Sequence, residues 1–321
     1  MFPPRDTQPA TESADPTNSP STSAPDEIAG SPQPRGFLPL FVVAWFGVTI
    51  ALGTIGGASI PKALAFLDDA TKATNLSLIA GAGGIVIIVI TPLFGRLSDR
   101  TMSRLGIRRP WLIGGAVVAG AGVVVLAATE SFAGTLVGWL IVQVGFGATN
   151  MVIHALLADQ IPRRIRARIA AAAGVATGLG LIVGAQVMAV LPNDQRWAWF
   201  VVPGMIGVVL STVMVFRFDD IVRTTPAPSL SGRDILSTYW LSPRRHPDFF
   251  WAFLSRFLVT MSITAISTFL LYIIIDRLHV PASAASPVQA LALVVFTIGN
   301  VITAVLFGWI SDRSGRRKAV V

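Results

Sequence analysis

Long apolar runs alternate with short polar breaks along the chain from residue 37 onward. A bilayer core of about 30 Å requires about 20 apolar residues in a helix, and the runs are about that long. A membrane barrel would instead show short strands of alternating residues, so continuous runs predict helices. The predicted spans are 37–59, 76–95, 111–129, 133–158, 167–190, 198–216, 249–275 and 286–310.

Composition supports a protein surrounded by lipid. Hydrophobic residues make up 53% of the chain and charged residues 13%, about half of the charged fraction of a soluble domain. The expected fold class is therefore all-α and polytopic, with the lipid bilayer as a partner. The chain has no cysteine, which excludes disulfides and thiolate metal sites. It shows no Ser-His-Asp, metal-ligand or phosphate-loop pattern, so we expect no enzyme, metal or cofactor.

Positive charges concentrate in alternate breaks between the spans. The exceptions among the 25 lysines and arginines are Lys62, Lys72, Arg196 and Arg277, which lie in the other breaks, and Arg256, which lies well inside a span. Because lysine and arginine favour cytoplasmic loops, this pattern predicts a topology. The expected cytoplasmic segments are the N-terminus and residues 96–110, 159–166, 217–248 and 311–321. Arginine far outnumbers lysine, as in GC-rich bacterial genomes, which favours the plasma membrane. Topology also accounts for the net charge of +8 without nucleic acid.

Residues 1–36 differ in composition from the rest of the chain. They are rich in Pro, Ser, Thr and Asp and have almost no large apolar side chains. Burial would not offset the entropy lost on ordering them, so we expect a disordered cytoplasmic tail. After it, residues 37–217 are expected to form a bundle of six helices, residues 218–248 a cytoplasmic loop, and residues 249–321 two helices of an incomplete second bundle.

A short motif occurs twice, each time after the second helix of a six-helix half. G-R-L-S-D-R runs from Gly95 to Arg100, and G-W-I-S-D-R runs from Gly308 to Arg313. The glycine permits close helix approach. The aspartate, four residues later on the same face, can pair with arginines or with a helix N-terminus. The expected cytoplasmic gate comprises Gly95, Asp99, Arg100, Arg108, Arg109, Gly308, Asp312, Arg313, Arg316 and Arg317, with Asp159, Arg163 and Arg164 as partners. The alternative is a basic loop that only fixes topology.

The repeated motif resembles the cytoplasmic loop signature of the major facilitator superfamily, and the resemblance covers nearly all of residues 37–321. It implies a transporter built from two parallel six-helix repeats. About eight of twelve helices are present, so we expect a C-terminally truncated chain. By the implied symmetry, Asp312 contacts the start of the fifth helix around residues 163–170 and is the more buried aspartate. Asp99 pairs instead with local arginines such as Arg108.

Two further stretches resemble one branch of that superfamily. They are T-M-S-R-L-G-I-R-R-P-W, from Thr101 to Trp111, and H-A-L-L-A-D, from His154 to Asp159. Both are similar to stretches of the glycoside–pentoside–hexuronide symporters, especially the sucrose transporters, which implies sugar transport. The sodium site of melibiose-type members uses acids within the second and fourth helices. Here those helices have none before Asp99 and Asp159, so we do not expect such a site.

Polar side chains within the spans are candidates for contact with a substrate or coupling ion, because they are costly in lipid. The candidates are Gln143, Asn150, His154, Arg256, Tyr272 and Asn300, with Thr49, Thr54, Gln186 and Thr264 as further polar positions. Trp45, Trp139 and Trp251 can stack on a sugar ring or anchor the membrane interface. For Arg256 the alternative is snorkelling to the cytoplasmic face, and for His154 it is packing.

The sequence leads to one principal function and two alternatives. The principal function is alternating-access transport, secondary active or facilitative, of a small sugar-like solute, with a proton as the candidate coupling ion. No acid lies at the centre of a span, so these helices offer no acid-based proton relay. The alternatives are an efflux carrier for amphipathic compounds, which the apolar interior favours, and a membrane sensor or scaffold.

Overall fold

The computed structural model describes residues 36–159, 161, 163–216, 220, 222 and 247–314. Eight helices in this part of the chain are long and apolar enough to cross a membrane, and it contains no strand. The predicted all-α, polytopic fold class is therefore confirmed. Almost all of the predicted tail and of the predicted loop over 218–248 lies outside the described residues.

The eight helices follow the predicted spans closely, although most of them are longer. They are α1 (Phe37–Leu67), α2 (Lys72–Asp99), α3 (Arg109–Ala128), α4 (Phe132–Asp159), α5 (Arg163–Val190), α6 (Arg196–Val213), α7 (Pro247–Arg277) and α8 (Ala285–Ser314). A 3₁₀ turn, Met214–Phe216, follows α6. The extra residues at the helix ends are mostly polar, and an apolar-run criterion does not count them even where they continue the helix.

The first helix shows the largest difference from the prediction. Its first part, Phe37–Thr54, continues through a π-helical turn, Ile55–Ser59, into Ile60–Leu67 instead of ending at residue 59. Lys62 is compatible with this helix because its ammonium lies 4.3 Å from the centroid of the Trp199 ring, which stabilises the charge. The π-helical turn contains one extra residue per turn, so it changes which side chains of α1 face the bundle interior.

α3 and α4 pack with their backbones in close contact. A Cβ atom on Gly115 would lie 2.7 Å from the carbonyl oxygen of Gly145, and one on Gly122 would lie 2.6 Å from the amide nitrogen of Val142. Small residues allow this approach, which is a common mode of helix association in membranes. The contact holds α4, and the side chains that α4 presents to the interior, in a fixed register on α3.

α1 occupies the centre of the described helices, where it packs on both α5 and α6. A Cβ atom on Gly180 of α5 would lie 3.1 Å from Cβ of Thr49, and one on Gly47 would lie 3.4 Å from the carbonyl oxygen of Gly207 in α6. α8 packs on α5, whereas most side chains of α7 between residues 249 and 266 are exposed. The interior of the bundle is therefore formed around α1.

Candidate functional site

A cavity of about 530 Å³ lies between α1, α2, α4, α5 and α7. Its wall consists mainly of apolar side chains and of glycines in α1 and α2. Hydrogen-bonding groups come from two helices: Trp139 and Gln143 belong to α4, and Thr264, Ser267 and Thr268 belong to α7. Among the described residues that line the cavity, none carries a charge. A cavity of this size and chemistry suits an uncharged small molecule.

Trp139 and Gln143 supply this cavity with N–H groups that have no hydrogen-bond partner among the described residues. They lie one turn apart on α4, and Trp139 is only 7% exposed. Within the part of the chain that the structure describes, neither the indole N–H nor the Gln143 side-chain amide hydrogen-bonds to the protein. Polar groups in a protein interior normally have partners. These two groups are therefore available to bind acceptor oxygens of a solute.

Of the six candidate substrate or coupling residues, Gln143 is the one on this cavity. Asn150 and His154 lie further along α4, where the ring nitrogen Nδ1 of His154 is 2.8 Å from the carbonyl oxygen of Asn150. The ring centroid of His154 lies 4.5 Å from that of Trp45, and the Trp45 indole donates a hydrogen bond to Oγ1 of Thr177 at 2.8 Å. These contacts correspond to the packing alternative for His154.

The remaining candidates lie apart from the cavity and from one another. Arg256 is exposed on α7, as the snorkelling alternative requires. Asn300 is exposed on α8, and its side-chain amide donates to the carbonyl oxygen of Phe296 at 3.0 Å. Tyr272 is buried, and its hydroxyl donates to the carbonyl oxygen of Pro61 at 3.1 Å. The structure therefore does not bring the predicted candidates together in one site.

Sequence reasoning missed part of the cavity wall on α7. It identified Thr264 but not Ser267 or Thr268, which line the cavity beside it. The spacing i, i+3, i+4 places three side chains on one face of a helix, so a signal was available. The other polar positions, Thr49, Thr54 and Gln186, do not line the cavity, and of the three proposed tryptophans Trp139 does.

The first copy of the repeated motif forms a local ion pair at the end of α2. Nη2 of Arg108 lies 2.6 Å from Oδ1 of Asp99, and Nη1 donates to Oγ of Ser98 at 2.9 Å. The predicted pairing of Asp99 with a local arginine is therefore confirmed. Among the described residues, the nearest to Gly95 is Met151 in α4, and a Cβ atom on Gly95 would lie an ordinary 4.0 Å from its Cγ atom.

The second copy of the motif is described only in part. The structure gives the backbone of Gly308, Asp312 and Arg313 within α8 but not their surroundings, and Arg316 and Arg317 lie outside the described residues. The side chains of the predicted partners Asp159, Arg163 and Arg164 are likewise outside the description. The contact between Asp312 and the start of α5 stays a prediction.

Asp220, which follows α6, caps the start of α3 from a distant part of the sequence. Its Oδ2 atom accepts hydrogen bonds from the backbone N–H groups of Arg108 and Arg109, both at 2.7 Å. Gly106 has a φ of 102°, and a Cβ atom there would overlap the Asp220 carboxylate. Both the free N–H groups and the helix dipole favour an anion at this position. The contact places residues 96–110 and Asp220 at one end of the bundle, here called the basic end, as the charge pattern predicted.

Replacing Asp220 by alanine is expected to lower the free energy of unfolding by about 1–2 kcal/mol, because two backbone donors of α3 lose their acceptor. Thermal unfolding in detergent, followed by circular dichroism, measures the effect. Asp220→Asn keeps one acceptor oxygen, so its unfolding temperature should lie between those of the unmodified protein and of Asp220→Ala. Asp194→Ala removes an exposed acid and is the control. Equal unfolding temperatures for the Asp220 and Asp194 alanine variants would contradict the capping role.

The opposite end of the bundle is held by charges that sequence reasoning left unassigned. Nζ of Lys72 lies 2.7 Å from Oδ1 of Asp69 and 2.6 Å from Oδ1 of Asp276 in α7. It also lies 5.4 Å from the ring centroid of Tyr272. We call Lys72, Asp69, Asp276 and Tyr272 the Lys72 cluster. The cluster joins the start of α2 to the end of α7.

Further hydrogen bonds reinforce the same end. The side-chain amide of Gln289 in α8 donates to the carbonyl oxygen of Gly57 at 2.8 Å, and that of Asn193 donates to the carbonyl oxygen of Ser283 at 3.1 Å. In the turn between α1 and α2, hydrogen bonds from Thr71 and from the backbone of Ala70 lower the pKa of Asp68. Together these contacts join α7 and α8 to α1, α2 and the turn after α5.

The family model of the Major Facilitator Superfamily matches residues 37–321. The match begins at the first apolar run and includes all eight helices, the cavity and both copies of the repeated motif. No curated protein matches the chain in a sequence search.

Proposed function

Because the chain belongs to the Major Facilitator Superfamily and is therefore a multi-pass membrane transporter of a solute, we propose that the solute is small, uncharged and sugar-like. It is carried by alternating access through the cavity between α1, α2, α4, α5 and α7. In this proposal, residues 37–217 form one helical bundle and residues 249–321 contribute the first two helices of a second. The N-terminus lies in the cytoplasm, and the membrane is the plasma membrane.

The chemistry of the cavity wall is the observation that supports this proposal. The indole of Trp139 offers a flat apolar surface for a sugar ring. The amide of Gln143 and the hydroxyls of Thr264, Ser267 and Thr268 offer donors and acceptors for hydroxyl groups. The described lining contains no charge, so an ionic solute would lose its hydration without a compensating partner. An uncharged polyhydroxylated solute matches this wall better than an ion does.

The contacts at the two ends support alternating access. Hydrogen bonds and ion pairs join α7 to α1 and α2 at the Lys72 cluster, whereas α7 between residues 249 and 266 is exposed toward the basic end. We infer a state that is closed at the Lys72 cluster and accessible from the cytoplasm. No titratable group is among the described residues that line the cavity. Facilitative transport is compatible with this lining, because it requires no residue that binds a coupling proton. A coupling proton would involve His154, whose imidazole can both donate and accept a proton.

Efflux of amphipathic compounds is the second candidate function, and one feature of the cavity favours it. Besides the polar groups, the wall contains several large apolar side chains from four helices, namely Leu52, Ile60, Leu76, Ile79, Ile87, Leu181 and Ile263. Such a surface can bind a molecule with an extended apolar part. The two functions differ in the solute that Gln143 selects.

Uptake into proteoliposomes distinguishes these functions. We expect neutral labelled mono- and disaccharides to be taken up, and charged sugar acids to be taken up poorly. Gln143→Leu should slow sugar uptake about fivefold, since one neutral hydrogen bond contributes about 1 kcal/mol. Gln186→Leu changes an exposed glutamine of α5 and serves as the control. Export of amphipathic dyes without sugar uptake would favour the second candidate and reject the first.

A further inference from the structure

Two glycines contact opposite edges of the Trp139 indole. A Cβ atom on Gly56 in α1 would lie 2.9 Å from Cη2 of the ring. A Cβ atom on Gly83 in α2 would overlap Nε1 of the same ring and would lie 3.0 Å from Nε2 of Gln143. The indole therefore extends from α2 to α1. It fills the space that the side chain of any other residue at position 83 would need.

Neighbouring glycines do not share this property. Gly57 of α1 and Gly84 of α2 also line the cavity, but a Cβ atom on either would have no heavy atom within 4 Å. The close contact is thus specific to one glycine in each helix. It is also not a general consequence of the many small residues in these two helices.

We propose that Gly56 and Gly83 form a slot, here called the indole slot, that determines which solutes the cavity accepts. The slot holds Trp139 in the wall, so that the residue is only 7% exposed and the cavity keeps its volume of about 530 Å³. It also keeps the indole N–H beside the Gln143 amide, because both nitrogen atoms lie within 3.0 Å of the position that a Cβ atom on Gly83 would occupy. The inference rests on the proposed function, which it deepens by naming the residues that set solute size.

The physical reason is the lack of another place for the ring. A methyl group at position 83 displaces the indole from α2, and the α1 backbone at Gly56 blocks movement along the ring toward α1. The remaining open side is the cavity. An indole that moves into the cavity reduces the space for a solute and separates the two N–H donors. Larger solutes are therefore excluded before smaller ones.

The test compares Gly83→Ala with Gly81→Ala, two substitutions that add the same methyl group to the same helix. A Cβ atom on Gly81 would have no heavy atom within 4 Å, and Gly81 does not line the cavity. In proteoliposomes, Gly83→Ala should lower the ratio of disaccharide to monosaccharide uptake about tenfold or more, as expected when a site loses one methylene-sized space. Gly81→Ala should leave this ratio unchanged. Gly56→Ala on α1 should lower the ratio as Gly83→Ala does.

A second readout does not require transport. Acrylamide quenching of tryptophan fluorescence is measured for each variant and for its Trp139→Phe partner, and the difference isolates Trp139. We expect greater quenching of Trp139 in Gly83→Ala than in the unmodified protein, and no change in Gly81→Ala. If Gly83→Ala does not fold, combining it with Trp139→Phe should restore folding, because the smaller ring no longer reaches the methyl group.

Each outcome has a defined consequence. Equal quenching and equal uptake ratios for Gly83→Ala and Gly81→Ala would overturn the indole slot, and so would an unfolded Gly83→Ala variant that Trp139→Phe does not rescue. A Gly83-specific change in quenching, together with no sugar uptake by the unmodified protein, would support the slot and reject the proposed sugar substrate. The two failures are thus distinguishable.

Discussion

Replacing Gly145 by valine is expected to lower the free energy of unfolding by about 3 kcal/mol or more. A Cβ atom at this position would overlap the backbone nitrogen of Ala119 in α3, and it would lie 2.6 Å from Cα of Ala119 and from the carbonyl oxygen of Gly115. All three atoms belong to the backbone, so no change of side-chain rotamer can relieve the contact. Valine therefore has to separate two helices, which exceeds the usual cost of overpacking a core.

Thermal unfolding in detergent measures this effect, which should lower the apparent Tm by roughly 5–10 °C. Gly120→Val is the control, because a Cβ atom on that glycine of α3 meets no heavy atom within 4 Å. Gly147→Val should be intermediate, since its nearest neighbours are the side-chain ends of Ile87 and Ile90, which can move. An unfolding temperature of Gly145→Val close to that of Gly120→Val would show that α3 and α4 do not pack as described.

Replacing Lys72 by methionine is expected to open the end of the bundle that the Lys72 cluster holds. The Lys72 side chain is 6% exposed, whereas those of Asp69 and Asp276 are 79% and 51% exposed. Its removal leaves two carboxylates that repel each other across α2 and α7. Because both carboxylates are partly solvated, the loss is smaller than for a fully buried pair. We expect a shift in the opening equilibrium of about tenfold.

A single introduced thiol reports this opening, because the chain has no cysteine of its own. Ser267→Cys places the thiol in the cavity wall, and a membrane-impermeant thiol reagent is added on the side of the Lys72 cluster. Lys72→Met should accelerate modification about tenfold. Asp276→Asn should act in the same direction, and the exchange of Lys72→Asp with Asp276→Lys should restore slow modification.

Controls separate the cluster from a general effect of charge. Lys72→Arg keeps the positive charge and should remain slow, and Arg277→Met removes an exposed neighbouring charge without breaking the contact. If the thiol reagent reacts with the Lys72→Met variant no faster than with the Ser267→Cys protein that keeps Lys72, the cluster does not close this end. In that case the proposed cytoplasm-accessible state would lose its main support.

The number, type and approximate position of the helices follow from the sequence alone. Backbone polar groups in lipid need hydrogen-bond partners within the same segment, so an apolar run of sufficient length forms a helix. The pairing of Asp99 with Arg108 was also predictable, because the two residues are nine positions apart and the intervening loop is short. The position of the helix ends was less predictable, since Lys62 and Lys72 belong to helices through contacts with distant residues.

The composition of the cavity, by contrast, was decided by the tertiary structure. Three tryptophans and six polar residues were comparable candidates in the sequence, and Trp139 and Gln143 were selected by the rotation of α4, which its backbone contact with α3 fixes. The ion pair between Lys72 and Asp276 joins residues 204 positions apart, and the cap that Asp220 provides for α3 is similarly remote. Hydropathy and charge depend on each residue's own chemistry, so they determine what lies in the membrane. The contacts between side chains depend on the distance between the helices and on the rotation of each helix about its axis. Both are determined by the packing of all the helices together.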